Sequence, residues 1–172
     1  ASVNGIGCTT LQAAVDAAME LDGEDTPITI KLLKNTTGTG IKVESGSNLI
    51  FDFGGNTYTV NQGVGSSGTE TNGMQLLKDS DITIRNGTLQ GDGNTQLGIL
   101  IQNYSNLTLE DIVLDGRTLA DLTGSEYTLS NNNGEISLNA GTEIYSRSEA
   151  DKAMDVCWAA SYTDGARVTV ND

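Results

Sequence analysis

The side chains of this chain best suited to hold a ligand lie in its long polar connections. Asp92, Asp115, Arg117, Asp121, Glu126 and Arg147 fall in three of four such stretches, 61–72, 90–96, 115–126 and 145–153, which also carry Glu70, Tyr145 and Asp151. Carboxylates accept hydrogen bonds, and guanidinium groups donate them in a planar fork. The set therefore suits the hydroxyls of a glycan or the charged side chains of another protein. Catalytic chemistry is less well provided for. The chain contains no His, no Asp-Asp pair and no Arg-x-Lys. No catalytic group, metal ligand or cofactor is assigned from the sequence.

A second set of charges is spaced differently. Asp52, Arg85, Glu110, Asn139 and Asn171 each follow an apolar–polar–apolar triplet at the same offset. In register on neighbouring strands, Arg85 lies between Asp52 and Glu110. Opposite charges on adjacent strands attract by roughly 0.2–1 kcal/mol per pair. The expectation is a ladder that sets register, rather than a calcium or uronate site, because Arg85 already neutralises both carboxylates.

These residues need elements to position them, and one phrase written five times supplies them. It reads Ser47–Asp52, Ser80–Arg85, Ser105–Glu110, Asn133–Asn139 and Gly165–Asn171, each a polar turn followed by period-2 alternation. The first apolar positions, Leu49, Ile82, Leu107, Ile136 and Val168, step by 33, 25, 29 and 32 residues. A period of 20–50 residues marks a stacked-repeat architecture. Six residues before Ile82 and Leu107 lie Leu76 and Ile101, and the same offset from Leu49 gives Val43. An offset of seven before Ile136 gives Leu129. Seven residues after Ile82 and Leu107 lie Leu89 and Leu114, and Tyr58 and Ile144 take that role in two other repeats. Alternation places apolar residues on one face and polar residues on the other. Each repeat then reads as three short strands that close into one coil.

Expected inward stacks are Val43–Leu76–Ile101–Leu129 and Leu49–Ile82–Leu107–Ile136–Val168. The four long connections leave from one corner and stack into a ridge. Ser148 with Asp151 has the shape of a capping box and suggests a short helical turn near 149–153. Before the repeats, Leu11, Ala14, Val15, Ala18 and Met19 form a stripe at helical spacing. Thr9 or Thr10 stands at its start and Gly23 just past its end. Such a helix caps the open end of a stack. The fold class expected is all-β: a right-handed parallel β-helix of about five coils with an N-terminal capping helix. The domain organisation expected is a single domain over 1–172, with 1–25 as the helical cap and 26–172 as coils.

Thr10–Ala18, then Thr29–Lys34, then Leu49–Tyr58 together resemble the opening of right-handed β-helix proteins of the pectin-lyase-like superfamily. The chain is most similar to the adhesin-like β-helical segments of bacterial surface proteins. The resemblance implies the fold and leaves activity open, since the superfamily also holds polysaccharide lyases and glycoside hydrolases. Two readings follow. The first is a non-catalytic extracellular module of a bacterial surface protein that presents its loop ridge to a glycan or a host protein. The alternative is a polysaccharide-active enzyme, a lyase or glycoside hydrolase.

Composition narrows the partners. Nine basic residues against 23 acidic ones give a net charge of −14 over 172 residues. That field repels nucleic acid and anionic lipid. No apolar run approaches a membrane span, so neither nucleic acid nor membrane insertion is expected. The localisation expected is extracellular or the bacterial cell surface. The last phrase ends before a third strand, so the expectation is a segment of a longer chain that associates through an uncapped last coil. Cys8 and Cys157 lie at opposite ends of the stack and are expected to be free thiols.

Overall fold

The structure, a computed structural model, describes residues 1–21, 26–68, 70–120, 127–159 and 165–172. Strands β1 (Ser2–Val3) and β2 (Ile6–Gly7) precede helix α1 (Leu11–Leu21). There follow β3 (Ile28–Lys31), β4 (Thr36–Thr39), β5 (Ile41–Val43), β6 (Asn48–Gln62), β7 (Asn72–Leu76), β8 (Asp81–Gly91) and β9 (Ile99–Asn103). The remainder are β10 (Asn106–Asp115), β11 (Tyr127–Asn132), β12 (Glu135–Leu138), β13 (Glu143–Tyr145), β14 (Lys152–Cys157) and β15 (Arg167–Val170).

The strands form two sheets. The first runs β15-β12-β10-β8-β6-β3-β1-β2, with β13 on β10 and β4 on β6; the second runs β14-β11-β9-β7-β5. From β5 onward the chain alternates between them, moving one neighbour along at each return. The second sheet is wholly parallel. The first is parallel except where β1 pairs antiparallel with β2 and β3. The protein is thus mainly β with parallel sheets and one short helix.

Residues 1–10 add strands ahead of the helix. They form not only a lead into the helix but a hairpin that extends the first sheet. Asn4 and Gly5, with φ of 48° and 80°, make its two-residue turn, the conformation for which Asn-Gly is the favoured pair. Helix α1 is as expected. The Thr10 hydroxyl accepts a hydrogen bond from the Ala13 N–H at 3.0 Å. Leu11, Ala14, Val15 and Ala18 are buried. Gly23 lies outside the described residues. Gln12 explains how the helix covers β5. Its Oε1 accepts from the Lys42 N–H at 3.0 Å, and its Nε2 donates to the Lys42 carbonyl at 3.3 Å. One side-chain amide thereby satisfies the backbone groups that a further strand would have taken.

Columns in the first sheet follow the alternation. Leu49, Ile82, Leu107, Ile136 and Val168 pair in succession, preceded by Ile28. Tyr58, Leu89, Leu114 and Ile144 form a second column. The corners between these columns need left-handed backbone, supplied by Gly54 and Gly55, by Asn86 (φ 60°) and by Asp111 (φ 47°). Inward residues of both sheets join α1 in a single apolar cluster.

The second sheet departs from the expected stack. Ile41, Met74, Ile101, Leu129 and Met154 form one column. Val43 and Leu76 continue into Asn103, Asn131 and Val156. Ile101 and Leu129 therefore sit two residues away from the expected partners. The reason is a pair of fully buried asparagines. Asn103 Nδ2 donates to Asn131 Oδ1 at 2.9 Å, and Asn103 Oδ1 accepts from the Ser105 N–H at 3.1 Å and hydroxyl at 2.7 Å. Asn131 Nδ2 donates to the Gly134 carbonyl at 2.8 Å. The amides bind the turn that follows each strand, and these turns, 104–105 and 133–134, are shorter than 77–80 after β7. The expected helical turn near 149–153 is also corrected. Ser148 does bond Asp151, Oγ to Oδ2 at 2.7 Å, but β14 begins at Lys152 and leaves no room for a helix.

Candidate functional site

The expected ridge residues are engaged by their own loops. Asp92 Oδ1 accepts from the N–H groups of Thr95 at 2.7 Å and Asn94 at 2.9 Å. These bonds hold its carboxyl below the usual carboxylate range. Asp115 takes a bidentate pair from Arg117, Nε to Oδ1 at 2.8 Å and Nη2 to Oδ2 at 2.9 Å. Those side-chain bonds outweigh partial burial and lower the Asp115 carboxyl. The Arg117 guanidinium also lies 3.8 Å from the centre of the Tyr145 ring, and the Tyr145 hydroxyl donates to Glu143. Arg147 is only 10 % exposed, with Nε 3.4 Å from Asp151 Oδ2, and its Nη1 donates to the Ala120 carbonyl at 3.0 Å. Asp121 and Glu126 lie outside the described residues. Glu70 Oε2 accepts from the Gly68 N–H at 2.9 Å within its own loop.

Successive connections are bonded to one another. Thr95 Oγ1 donates to the Asn61 carbonyl at 2.9 Å, the Gly91 N–H donates to Thr118 Oγ1 at 2.9 Å, and Arg147 reaches Ala120. The loops are therefore stacked. Asp92 and Asp115 are bonded within their own turns, whereas Arg117 on Tyr145 and Arg147 on Ala120 tie one connection to the next.

The ladder of Asp52, Arg85 and Glu110 is present in register. Arg85 Nη2 lies 3.3 Å from Asp52 Oδ2. Burial raises the Asp52 carboxyl, but bonds from the Asn86 side chain and the Gly54 N–H, with the charge of Arg85, outweigh it and leave it lowered. The pairing with Asp52 is made. Glu110 stands opposite Arg85 in the ladder, but among the described residues Arg85 forms its ion pair with Asp52 and not with Glu110.

A groove forms elsewhere, on the polar face of the second sheet. Lys42, Gln75, Gln102, Ser130 and Asp155 make the outward column there, one residue per strand. Beside it, Ser45, Ser66, Gln75, Leu77, Lys78 and Tyr104 line a groove of about 320 Å³. Ser45, Leu77, Lys78 and Tyr104 come from the turns after β5, β7 and β9. Ser66 comes from the first long connection, which folds back so that Val64 and Asn72 exchange backbone bonds at 2.8 and 2.9 Å. A side chain at Gly63 would place its Cβ 2.2 Å from the Glu70 carbonyl, so this return requires glycine.

The amides of the column are ordered. Gln102 Oε1 accepts from Gln75 Nε2 and from Asn72 Nδ2, both at 3.1 Å. Gln75 is only 6 % exposed and Asn72 5 %. An aromatic ring, two hydroxyls, one ammonium and the Gln75 amide, which Gln102 holds from the neighbouring strand, make a lining that can hold a polyhydroxylated ligand. A second groove of about 330 Å³ lies over the corners near Asn86, Asp111 and Glu143. Its Glu143 is taken by Tyr145. Among the described residues no group of three or more His, Cys, Asp or Glu side chains could hold a metal ion.

Sequence reasoning missed Gln75, Gln102, Lys78 and Tyr104. The signal was available in part. Gln75 and Gln102 occupy the polar phase of the first strand of each repeat, just as Arg85 and Glu110 do in the central one. The folding of loop 63–71 toward them has no local signature. Comparison with protein-family models, with curated proteins and with solved structures found no match to this chain.

Proposed function

We propose that the chain is a non-catalytic extracellular module of a bacterial surface protein, wound as a right-handed parallel β-helix, that binds a glycan in the groove beside Gln75 and Tyr104. The winding is supported by the way the chain from β5 onward passes back and forth between two sheets, pairing parallel at each return, and by the helix whose Gln12 closes the edge of β5. The binding role is carried by one observation. A stacked connection meets the polar face of the second sheet, and an aromatic ring, hydroxyls and the Gln75 amide, oriented by Gln102 beside the groove, line the space between them. Loops held by a rigid scaffold are where binding groups concentrate. Among the described residues the lining contains no carboxylate, imidazole or thiol, so these residues offer no general acid–base pair to a sugar ring.

A glycan array at several calcium concentrations, with product release measured on every hit, tests the proposal. The expected result is retention without product. Unsaturated or hydrolysed product from a hit would replace this reading with the lyase or hydrolase alternative. Retention of a host protein with no glycan retained would move the site to the ridge.

A further inference from the structure

Resting on the reading of this groove as a saccharide site, we infer that its ligand is an uncharged, hydroxyl-rich sugar chain and that it discriminates against polyuronates. The argument begins with the amide pair. One oxygen, Gln102 Oε1, accepts two bonds, from Asn72 Nδ2 and Gln75 Nε2. That sharing orients both glutamines. It leaves the Gln75 carbonyl oxygen as an acceptor and the Gln102 amide nitrogen as a donor, neither with a partner among the described residues. The polar face therefore presents an acceptor in the groove, on Gln75, and a donor beside it, on Gln102 of the neighbouring strand. A hydroxyl can serve both, since it donates and accepts. A carboxylate only accepts, and against the Gln75 oxygen it would set acceptor on acceptor.

Charge argues the same way. Lys78 is the one cation of the lining among the described residues, and its ammonium has Asp79 Oδ2 at 3.8 Å. Lys42, one strand away on the outward column, is paired with Glu44 at 2.7 Å. Both cations near the groove carry their own counter-ions, while the chain as a whole bears −14. A polyanion approaching it is repelled beyond the groove and finds no unpaired cation within it. A cationic sugar finds no carboxylate in the lining. The neutral chain is the class that neither effect penalises.

Calorimetric titration of the full chain with cellohexaose, xylohexaose, mannohexaose and laminarihexaose, and separately with hexagalacturonate and a heparin hexasaccharide, tests this. At least one neutral probe is expected to bind, with an affinity that changes less than about twofold between roughly 0.05 and 0.5 M NaCl, because no ion pair is screened. Gln75→Leu and Tyr104→Ala are each expected to weaken it by about tenfold with the thermal midpoint retained. Should Gln75→Leu fail to fold, Tyr104→Ala decides alone, being only half-buried. Hexagalacturonate or the heparin fragment binding more tightly than every neutral probe, with affinity collapsing in salt, overturns the inference and leaves the groove as a glycan site. Binding of no probe, or neutral binding untouched by the folded variants, overturns the glycan reading and this inference with it.

Discussion

Asp52 shows how a charge that looks available can be committed to the fold. It accepts from Asn86 Nδ2 at 3.0 Å and the Gly54 N–H at 3.0 Å and lies against Arg85. Its carboxyl is held below its ordinary value of 3.8. The unfolded chain therefore takes up this proton at higher pH than the folded one. The stabilisation is complete above the unfolded value and is lost as pH falls through the folded one. Asp52→Asn is expected to flatten the decline of the thermal midpoint below pH of about 4, and an unchanged acid limb would show that Asp52 contributes none of it. The ridge charges separate by burial. Arg117 is 55 % exposed at its side chain, so Arg117→Ala is expected to change stability little. Arg147 is 10 % exposed and bonds the Ala120 carbonyl, so Arg147→Ala should cost about 1–3 kcal/mol. Chemical denaturation of both variants checks the order, and equal losses would contradict it.

At the scale of elements, the first sheet is held by apolar columns, and the second by one apolar column and one that turns polar halfway. Ile82 is 2 % exposed, between Leu49 and Leu107. Ile82→Ala is expected to cost about 2–5 kcal/mol through lost transfer energy and the cavity left behind. Asn103 is fully buried and serves Asn131, Ser105 and the turn after β9 at once. Asn103→Leu should cost about 1–3 kcal/mol for each buried group it strands. The double variant with Asn131→Leu should lose less than the sum of the single losses, because each amide is the other's partner. A double-mutant cycle measures that coupling, and strict additivity would show that the two asparagines act separately.

For the whole molecule, the sheet order sets which strands are protected. Strands β6, β8 and β10 each pair on both sides, whereas β14 and β15 end their sheets. Val156, Trp158 and Val170 are 51, 57 and 74 % exposed beside those ends. Amide exchange is expected to be slowest in β6, β8 and β10 and fastest in β14 and β15, and the reverse order would contradict this topology. Cys8 is half-buried and Cys157 exposed, both as free thiols. Two thiols should titrate in the denatured, unreduced protein, and Cys157 first in the native one; a monomer with none would refute the unpaired state.

The repeated phrase by itself determined the first sheet. A strand of period two has no tolerance for a slip of one residue, which would turn every apolar side chain to water. Leu49, Ile82, Leu107, Ile136 and Val168 could therefore be aligned from alternation alone. A slip of two residues leaves every side chain on its own face, and alternation is silent about it. Ile101 and Leu129 were misaligned for that reason. Their register was decided by the bonds of Asn103 and Asn131 to the turns that follow, which no local pattern records. The ridge charges were legible as polar loop residues, but whether Asp115 faced a ligand or Arg117 depended on turn geometry. The groove is further from the sequence still. Gln75, Tyr104 and Ser66 meet because a loop held by the Val64–Asn72 bridge returns toward the next strands, and such a contact exists only once the chain has stacked.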